Sequence, residues 1–141
     1  MNNYTVFDCA ILHLPKIHNR AGNITPVENG IHIPFDVQRI YYLYDVPGGE
    51  SRGAHGHKTL ESLIVAVSGS FDVTVDDGIN KKTVQLNRPY VGLNIKSGIW
   101  RDISNFSSGA ICLVLASQKY NEEDYIRNYD AFIQFKKSLK Q

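Results

Sequence analysis

Short strand-like runs separated by turn residues constrain the fold of this chain more than any other feature of its sequence. The runs are VFDCAILHL, VQRIYYLYDV, LESLIVAV, FDVTVDDG, KKTVQL, YVGLNI, IWRDISNF and AICLVLAS. In FDVTVDDG, the apolar residues Phe71, Val73 and Val75 alternate with polar residues, which is the pattern of a strand with one buried face. Many such strands, with turn signals about every 8–12 residues, indicate an antiparallel sandwich or barrel. The predicted fold class is therefore all-β.

Turn residues support the same interpretation. Asp77-Gly78 predicts a tight hairpin between two of the runs. Asp76 and Asp77 are neighbouring carboxylates of a kind that suits acid–base chemistry, but their position directly before Gly78 predicts a role in the turn. The stretch NRAGN predicts a second turn, after a first strand-like run that ends at Pro15.

The C-terminal segment departs from the strand pattern. NEEDYIRNYDAFIQFKKSL opens with Asn121, a good helix N-cap, followed by acids in the first turn. The aromatic and aliphatic residues spaced for one helical face are Tyr125, Tyr129, Phe132 and Ile133. We therefore expect a C-terminal helix whose apolar stripe packs on the barrel or on a partner subunit, rather than forming a ligand site.

Length, charge and cysteine content limit the functional classes. The 141 residues predict one domain, residues 1–141, with its own hydrophobic core. The net charge is +1 without a basic block, so neither nucleic acid nor a membrane surface is expected as a partner. No run approaches the roughly 20 apolar residues that span a bilayer, and MNNYTVFDCA has no features of a signal peptide. Cys9 and Cys112 lie in apolar runs and are expected to be reduced core residues of a cytoplasmic protein.

The segment RGAHGHKTLE contains the strongest chemical signal. His55 and His57 are one residue apart, so in a strand both imidazoles point to one face, and a regular strand would place Glu61 on that face too. If this face lines a barrel cavity, both histidines are candidates for proton transfer, because the unperturbed imidazole pKa is about 6.5. The remaining histidines (His13, His18 and His32) are expected to be structural or solvated.

The wider pattern resembles the first motif of the cupins, a superfamily of small jelly-roll barrels. The matching residues are Gly49, His55, His57, Glu61 and, one place late, Gly69. Metal-binding cupins take a further histidine from a second motif, which here retains Gly92, Gly98 and Asn105 but has Arg101 at the histidine position. A guanidinium has no free lone pair and its charge repels a divalent ion. We therefore expect no metal cofactor, and Arg101 suggests an anionic substrate such as a phosphate or diphosphate.

Longer segments narrow the resemblance to one family. IPFDVQRIYYLYDVPGGESRGAHGHKTLESLIVAVSGSFDVTVDDG and GIWRDISNFSSGAICLVLASQKYNEEDYIRNYDAF resemble the sugar 3,4-ketoisomerases, cupins that act on dTDP-4-keto-6-deoxyglucose. The resemblance extends over about residues 4 to 135. It implies an antiparallel cupin barrel with a C-terminal helix, and a cytoplasmic homodimer with strand exchange between subunits. It also implies that the enzyme needs neither a metal nor an organic cofactor.

The implied reaction moves a carbonyl from C4 to C3 of the hexose. In this family the product feeds aminotransferases that make 3-amino-3,6-dideoxy sugars for lipopolysaccharide O-antigens, S-layer glycans or macrolides. The resemblance makes His55 the first choice for the base that removes the C3 proton. It makes His57 the candidate for moving protons among the sugar oxygens or stabilising the enediolate.

Other polar residues near these motifs are candidates for substrate binding. Tyr41 and Tyr42 are adjacent, so only one can face a cavity; the resemblance favours Tyr41, and Arg39 shares its face by the period of two. Four further candidates are Arg52 for the diphosphate, Arg101 for an anionic group, Trp100 for stacking against sugar or base, and Lys58, which ranks lower because it points away from His57. Trp100 fits equally well as a core residue at the end of the barrel.

Two departures and three alternatives accompany this hypothesis. The family commonly has glutamine at the position of Ser62, and some members have histidine at the position of Arg101, so the C4 configuration of the product is not predicted. The alternatives are a related sugar nucleotide 3,5-epimerase, a metal-dependent cupin, and a non-catalytic barrel that binds a sugar nucleotide.

Overall fold

The computed structural model describes residues 2–140, which form two five-stranded sheets packed face to face and a separate two-stranded hairpin. The strands are β1 Ala10–His13, β2 Ile17–Asn19, β3 Gly22–Ile24, β4 Arg39–Leu43, β5 Arg52–His57, β6 Ser62–Ser68, β7 Phe71–Asp76, β8 Lys81–Leu86, β9 Val91–Ile95, β10 Trp100–Ser104, β11 Ile111–Ala116 and β12 Tyr125–Ile126. Two 3-10 helices, Val6–Asp8 and Glu122–Asp124, and helix α1, Tyr129–Ser138, complete the structure. No helix among the described residues is long and apolar enough to cross a membrane.

The strand order shows how the chain builds the barrel. The first sheet has the order β1-β9-β6-β11-β4 and the second has the order β12-β5-β10-β7-β8. From β5 to β7 and again from β8 to β11, consecutive strands mostly alternate between the two sheets, as in a jelly roll, and all strand pairs are antiparallel. The prediction of an all-β antiparallel fold with a C-terminal helix is confirmed.

The main core lies between the two sheets. Phe71, Val73 and Val75 of β7 are fully buried there, opposite Leu93 and Ile95 of β9. Burying each of these side chains contributes about 1.5–3 kcal/mol. The alternation predicted from FDVTVDDG is therefore present, and it directs one face of the second sheet toward the core.

A second apolar cluster covers part of the outer face of the first sheet. Leu63, Val65 and Leu115 pack there against Leu14 and Ile33. The chain between β3 and β4 supplies this cover, with Val27, Phe35 and Val37 also in contact. The rest of the outer face, toward the edge strand β4, remains exposed.

Turns and cysteines have the predicted roles. The carboxylate of Asp76 accepts a hydrogen bond from the amide of Gly78, and that of Asp77 accepts from the amides of Ile79 and Asn80, which closes the β7–β8 hairpin. The stretch NRAGN forms the bend between β2 and β3. The two cysteines, predicted to be reduced core residues, are free and buried.

The start of the C-terminal helix differs from the prediction. Asn121 caps only the 3-10 helix Glu122–Asp124, and α1 begins at Tyr129 after a second cap, Asn128. Between them, Tyr125 and Ile126 form β12, which pairs with the end of β5. The backbone is extended here because this pairing with a distant strand outweighs the local helical pattern. Tyr125 consequently leaves the predicted helical stripe.

The start of the chain also differs from a simple strand. Thr5 and Asp8 form a capping box around the 3-10 helix Val6–Asp8, so the first strand covers only Ala10–His13 of the run VFDCAILHL. Val6 is fully buried, and its amide donates to the carboxylate of Asp77 over 2.9 Å. The N-terminal segment is thereby fixed to the β7–β8 hairpin.

Candidate active site

A cavity of about 490 Å³ opens between the two sheets. Its apolar lining comes from Leu43, Ile64, Ile103 and Val114, and its polar lining includes Arg39, Tyr41, Arg52, His55, Arg101, Tyr120, Tyr125 and Arg127. Strands β4, β6 and β11 of the first sheet and β5, β10 and β12 of the second sheet therefore contribute to its walls. Charged and aromatic groups thus meet on an apolar scaffold, which is the usual composition of a small-ligand site.

His55 and Arg101 face each other across neighbouring strands. They are directly opposite in the register of β5 and β10, and both line the cavity. His55 is only 9% exposed. The period-two spacing of a strand therefore places a potential base beside a fixed positive charge.

His57 lies behind His55 and does not line the cavity. Its side chain is 0% exposed, and its ring stands nearly perpendicular to that of His55. Nε2 of His57 is 3.1 Å from Nε2 of His55, and Nδ1 is 3.1 Å from Oδ2 of Asp124. Both ring nitrogens of His57 are therefore engaged by the protein. His57 therefore reaches the cavity only through His55.

Asp124 is a functional candidate that the sequence did not reveal. Its Oδ1 accepts hydrogen bonds from the amide of Thr59 over 2.8 Å and the hydroxyl of Thr59 over 2.6 Å. Its Oδ2 accepts from the amide of Leu60 over 3.2 Å as well as contacting His57. In the sequence, Asp124 resembled an ordinary acid in the first turn of a helix. The pairing of β12 with β5 brings it to His57, and no local pattern predicts such a long-range contact.

Burial and hydrogen bonding together set the protonation states of His55, His57 and Asp124. Burial, assisted by the charge of Arg101, lowers the pKa of His55 to about 2. Burial lowers the pKa of His57 to about 4, although the hydrogen bond with Asp124 opposes this shift. Burial disfavours ionisation of Asp124, but hydrogen bonds from His57 and Thr59 outweigh it and keep its pKa below the usual range. At neutral pH the cluster therefore holds two neutral imidazoles and one carboxylate.

Arg101 carries a buried charge without a carboxylate partner. It is 2% exposed, and its Nη1 donates to Ser62 Oγ over 3.0 Å while Nη2 donates to the carbonyl of Ile99 over 3.2 Å. Nε has no partner within residues 2–140, and no acid in this range forms an ion pair with the side chain. A buried cation of this kind is costly unless an anion compensates it.

Tyr41 and Arg39 form the opposite wall. Tyr41 faces the cavity and Tyr42 faces outward with 59% exposure, so the register of β4 decides between the two tyrosines. Arg39 stacks over the Tyr41 ring at 4.9 Å, and its Nη2 donates to the hydroxyl of Tyr125 over 3.0 Å. Burial raises the pKa of Tyr41, so its hydroxyl remains a hydrogen-bond donor at neutral pH.

Further arginines lie at the exposed rim of the cavity. Arg52 is exposed and forms no ion pair within the described part of the chain. Arg127 is stacked over Tyr125 at 4.3 Å and is held by Glu122 through two hydrogen bonds of 2.6 and 2.8 Å. No local sequence pattern assigned Tyr120, Tyr125 or Arg127 to a binding site, because the rim forms only when the chain after β11 folds back over β5.

Two of the proposed binding residues lie elsewhere. Trp100 points to the outer face of the second sheet, where it packs against Tyr129 and Phe132 of α1. It is therefore a packing residue at the end of the barrel. Lys58 follows the last residue of β5 and is exposed outside the cavity lining.

Sequence comparisons identify relatives of this chain. A family model described as "FdtA: WxcM-like, C-terminal" matches residues 7–137. The TDP-4-oxo-6-deoxy-alpha-D-glucose-3,4-oxoisomerase of Aneurinibacillus thermoaerophilus is 40% identical over 122 residues, which cover 86% of this chain and 88% of that protein. The chain belongs to the sugar 3,4-ketoisomerase family.

Solved 3,4-ketoisomerases share its fold. One from Helicobacter canadensis is 44% identical with a TM-score of 0.90, covering 92% of this chain and 98% of that chain. QdtA from Thermoanaerobacterium thermosaccharolyticum, solved in complex with TDP, is 38% identical with a TM-score of 0.93, covering 96% and 99%. A variant of QdtA with a histidine replaced by asparagine was solved with TDP-4-keto-6-deoxyglucose. The cupin barrel and the family predicted from the sequence are both confirmed.

The metal-binding pattern of other cupins does not fit this ketoisomerase. Glu61 lies beyond the end of β5, where its Oε2 accepts from Nζ of Lys96 over 3.1 Å and from Nδ2 of Asn94 over 3.0 Å. A regular strand would have placed Glu61 on the same face as the histidines, but β5 ends at His57 and Glu61 does not share that face. With Glu61 bound to Lys96 and Arg101 opposite His55, the residues present do not provide a set of metal ligands.

The family departure at Ser62 lies directly beside the cavity. Ser62 is fully buried at the start of β6, and its hydroxyl is the acceptor for Arg101. A change of this residue therefore acts on the orientation of the guanidinium. Local sequence patterns do not predict this contact, because Ser62 and Arg101 are 39 positions apart.

Proposed function

We propose that this protein is a sugar 3,4-ketoisomerase that converts TDP-4-keto-6-deoxyglucose into its 3-keto isomer. One observation carries the proposal: neutral His55 on β5 and cationic Arg101 on β10 are direct cross-strand neighbours, and both line the cavity. The activity named for its relative, and the TDP and TDP-4-keto-6-deoxyglucose complexes of QdtA, support the substrate class.

The reaction requires two proton movements. The C3 hydrogen is acidic because it lies beside the C4 ketone, and the neutral imidazole of His55 removes it as a proton. The electron pair of the broken C3–H bond forms the C3–C4 double bond of an enediolate, with the negative charge on O4. Return of a proton to C4 and transfer of the O3 proton to O4 then leave a ketone at C3 and a hydroxyl at C4. General acid–base catalysis of this type contributes about 10²–10⁴-fold.

Arg101 and Tyr41 supply the electrostatic part of this mechanism. No carboxylate among residues 2–140 forms an ion pair with the buried guanidinium of Arg101, so the negative charge that develops on the enediolate compensates it. Tyr41 keeps its proton and is positioned on the opposite wall to donate to a sugar oxygen. Donors prearranged in this way stabilise the transition state more than the ground state.

The rim binds the nucleotide part of the substrate. Arg39 and Arg52 offer guanidinium groups without a carboxylate partner among residues 2–140, and such groups match the geometry of a diphosphate. The charge of Arg127 is already balanced by Glu122, which makes it a weaker candidate for the diphosphate. Tyr120 adds an exposed aromatic surface at the same rim.

Replacement of His55 by asparagine tests this proposal against a binding protein. Asparagine retains a polar side chain but has no basic nitrogen, so we expect His55→Asn to bind TDP-4-keto-6-deoxyglucose within about threefold of the wild type and to lose at least about 10²-fold in rate. The exposed His13, replaced in the same way, is the control and should keep its rate. If His55→Asn turned over normally, or if the wild type bound the sugar without turnover, the proposal would be wrong.

We propose further that the active form is a homodimer with strand exchange, in the cytoplasm. The hairpin β2–β3 is exposed along its whole length, with Ile17 and Ile24 56% and 63% exposed. An isolated two-stranded hairpin is at best marginally stable in water. The edge strand β4 presents a second exposed apolar surface, Ile40 and Tyr42, against which a second copy can pack. Two free cysteines agree with a reducing compartment.

Light scattering tests the dimer. We expect a mass of about twice 15.9 kDa for the wild type and dissociation when Ile17 and Ile24 are both changed to glutamate, because the charges cannot be buried in an interface. Ile79→Glu, at the exposed tip of the β7–β8 hairpin, is the control. A wild-type monomer, or an unchanged dimer in the double variant, would contradict strand exchange through this hairpin.

A further inference from the structure

Three buried titratable groups beside the cavity form a chain. Asp124, His57 and His55 are linked by two contacts of 3.1 Å, and only His55 reaches the cavity. We infer that Asp124 is a positioning residue that acts through His57 to make Nδ1 of His55 the basic atom of the reaction. This inference rests on the proposed function and assigns the atoms that perform it.

The tautomer of His57 follows from Asp124. The four groups around the Asp124 carboxylate include the amides of Thr59 and Leu60, which can only donate, so the site is built for an ionised acceptor. Nδ1 of His57, 3.1 Å from this carboxylate, must therefore carry the hydrogen. A neutral imidazole has one hydrogen, so Nε2 of His57 carries a free electron pair.

The tautomer of His55 follows from His57. Its Nε2 lies 3.1 Å from Nε2 of His57, and two acceptors at this distance would repel each other. Nε2 of His55 must therefore carry the hydrogen and donate it to His57. Nδ1 of His55 then has the free electron pair, and it has no hydrogen-bond partner among residues 2–140. The nitrogen left unprotonated belongs to the one histidine of the pair that lines the cavity.

The same chain disperses the charge that proton removal creates. When Nδ1 of His55 accepts the C3 proton, the hydrogen on Nε2 can pass to Nε2 of His57. His57 then becomes the cation, with both nitrogens protonated, directly beside the carboxylate of Asp124. The reverse transfer restores His55 as it delivers the proton to C4, so no proton is gained or lost. The cation is thereby moved away from Arg101, which lies opposite His55.

The alternative role for His57, direct contact with the sugar oxygens, conflicts with its placement. Its side chain has no exposed surface, and each of its nitrogens is already occupied. The proton that moves between O3 and O4 must therefore use another group on the cavity wall. Tyr41 is the protonated hydroxyl available there.

Nitrogen-15 NMR of the imidazole side chains tests the assignment without any substrate. The chemical shifts and couplings of each ring distinguish protonated from unprotonated nitrogens, and His55→Asn and His57→Asn identify the signals. We expect His57 protonated at Nδ1 and His55 protonated at Nε2 at neutral pH. A hydrogen on Nδ1 of His55, or an unprotonated Nδ1 on His57, would overturn the inference. Because this readout needs no turnover, it remains decisive if the proposed reaction fails.

The variant Asp124→Asn tests the consequence for catalysis. The amide cannot accept from all of its neighbours, and when its NH₂ faces His57 the preferred tautomers of both histidines reverse, so His55 loses its free Nδ1. We expect kcat to fall at least about 10²-fold with KM within about threefold, and the His57 hydrogen to move to Nε2 in the NMR spectrum. A variant with reversed tautomers and normal kcat would overturn the role of Asp124.

Asp77→Asn is the matched control. Asp77 is also a buried carboxylate that accepts hydrogen bonds from backbone amides, those of Val6, Ile79 and Asn80, but it lies at the β7–β8 hairpin outside the cavity. Both variants lose a buried acceptor, so both should be less stable. Only Asp124→Asn should change kcat and the imidazole signals. An equal loss of kcat in both would show that Asp124 has only a structural role.

Discussion

At the level of single residues, Arg101 shows a conflict between stability and catalysis. A fully buried guanidinium with only a hydroxyl and a carbonyl as partners lowers the stability of the free protein. The same charge is available for the anion formed during the reaction, because no carboxylate of the described chain neutralises it. Functional sites often retain such costly groups, and their removal typically stabilises the fold.

Arg101→Met tests this conflict. Methionine fills a similar volume without a charge, so we expect the free energy of unfolding to stay the same or rise by about 1 kcal/mol or more, while kcat falls at least about 10²-fold. Urea unfolding and steady-state kinetics measure the two effects. A loss of more than about 2 kcal/mol in stability would show that Arg101 mainly supports the fold.

At the level of elements, β5 is held in place by β12 on one edge and by α1 on its outer face. Gly56 lies between the two histidines, and a Cβ atom there would be 3.2 Å from the ring of Phe132. The glycine therefore allows α1 to pack closely behind the histidines.

Local alternation of apolar and polar residues predicted most strands, and β8 coincides with the predicted run KKTVQL. The break between Asn121 and α1 depends on pairing with β5, so it could not be read locally.

The packing of α1 predicts a specific stability effect. Phe132 is fully buried against Gly56 and Trp100, so Phe132→Ala should cost about 3–5 kcal/mol in the free energy of unfolding. Because α1 supports β5, kcat should fall as well. Phe7→Ala, at a phenylalanine that is 74% exposed, should change stability by less than about 0.5 kcal/mol in the same urea titration. Equal effects of the two changes would contradict the packing described for α1.

At the level of the whole molecule, the barrel encloses a polar site that no single segment contains. Strand periodicity pointed to His55 and Arg39, since side chains two residues apart share a face. Arg101 was found by its place in the second cupin motif. Neither pattern could reveal Asp124 or Ser62, which contact His57 and Arg101 only after distant strands pair. The sequence allowed Trp100 to be either a stacking residue for the ligand or a core residue at the end of the barrel. In the structure its ring packs against α1.

Enclosing neutral histidines should make the stability of the molecule depend on pH. Burial lowers the pKa of His57 from 6.5 to about 4, so between these pH values the unfolded chain binds more protons than the folded chain. The free energy of unfolding should therefore fall as the pH is lowered through this window, with His57 accounting for about 3 kcal/mol. Urea unfolding across the window should show a weaker dependence for the double variant His55→Asn/His57→Asn. The same slope in both proteins would contradict neutral, buried histidines.

We expect this barrel to move a carbonyl from C4 to C3 of the sugar through an enediolate. Proton NMR of the protein with TDP-4-keto-6-deoxyglucose in D₂O, with EDTA present, tests it most directly. We expect a 3-keto sugar, with C4 bearing either the hydrogen carried from C3 or deuterium exchanged from solvent, and the H4–H5 coupling would give the C4 configuration. Deuterium at C3 and C5 with inverted configuration at these carbons, and with the ketone still at C4, would identify an epimerase, and an unchanged sugar would contradict a ketoisomerase.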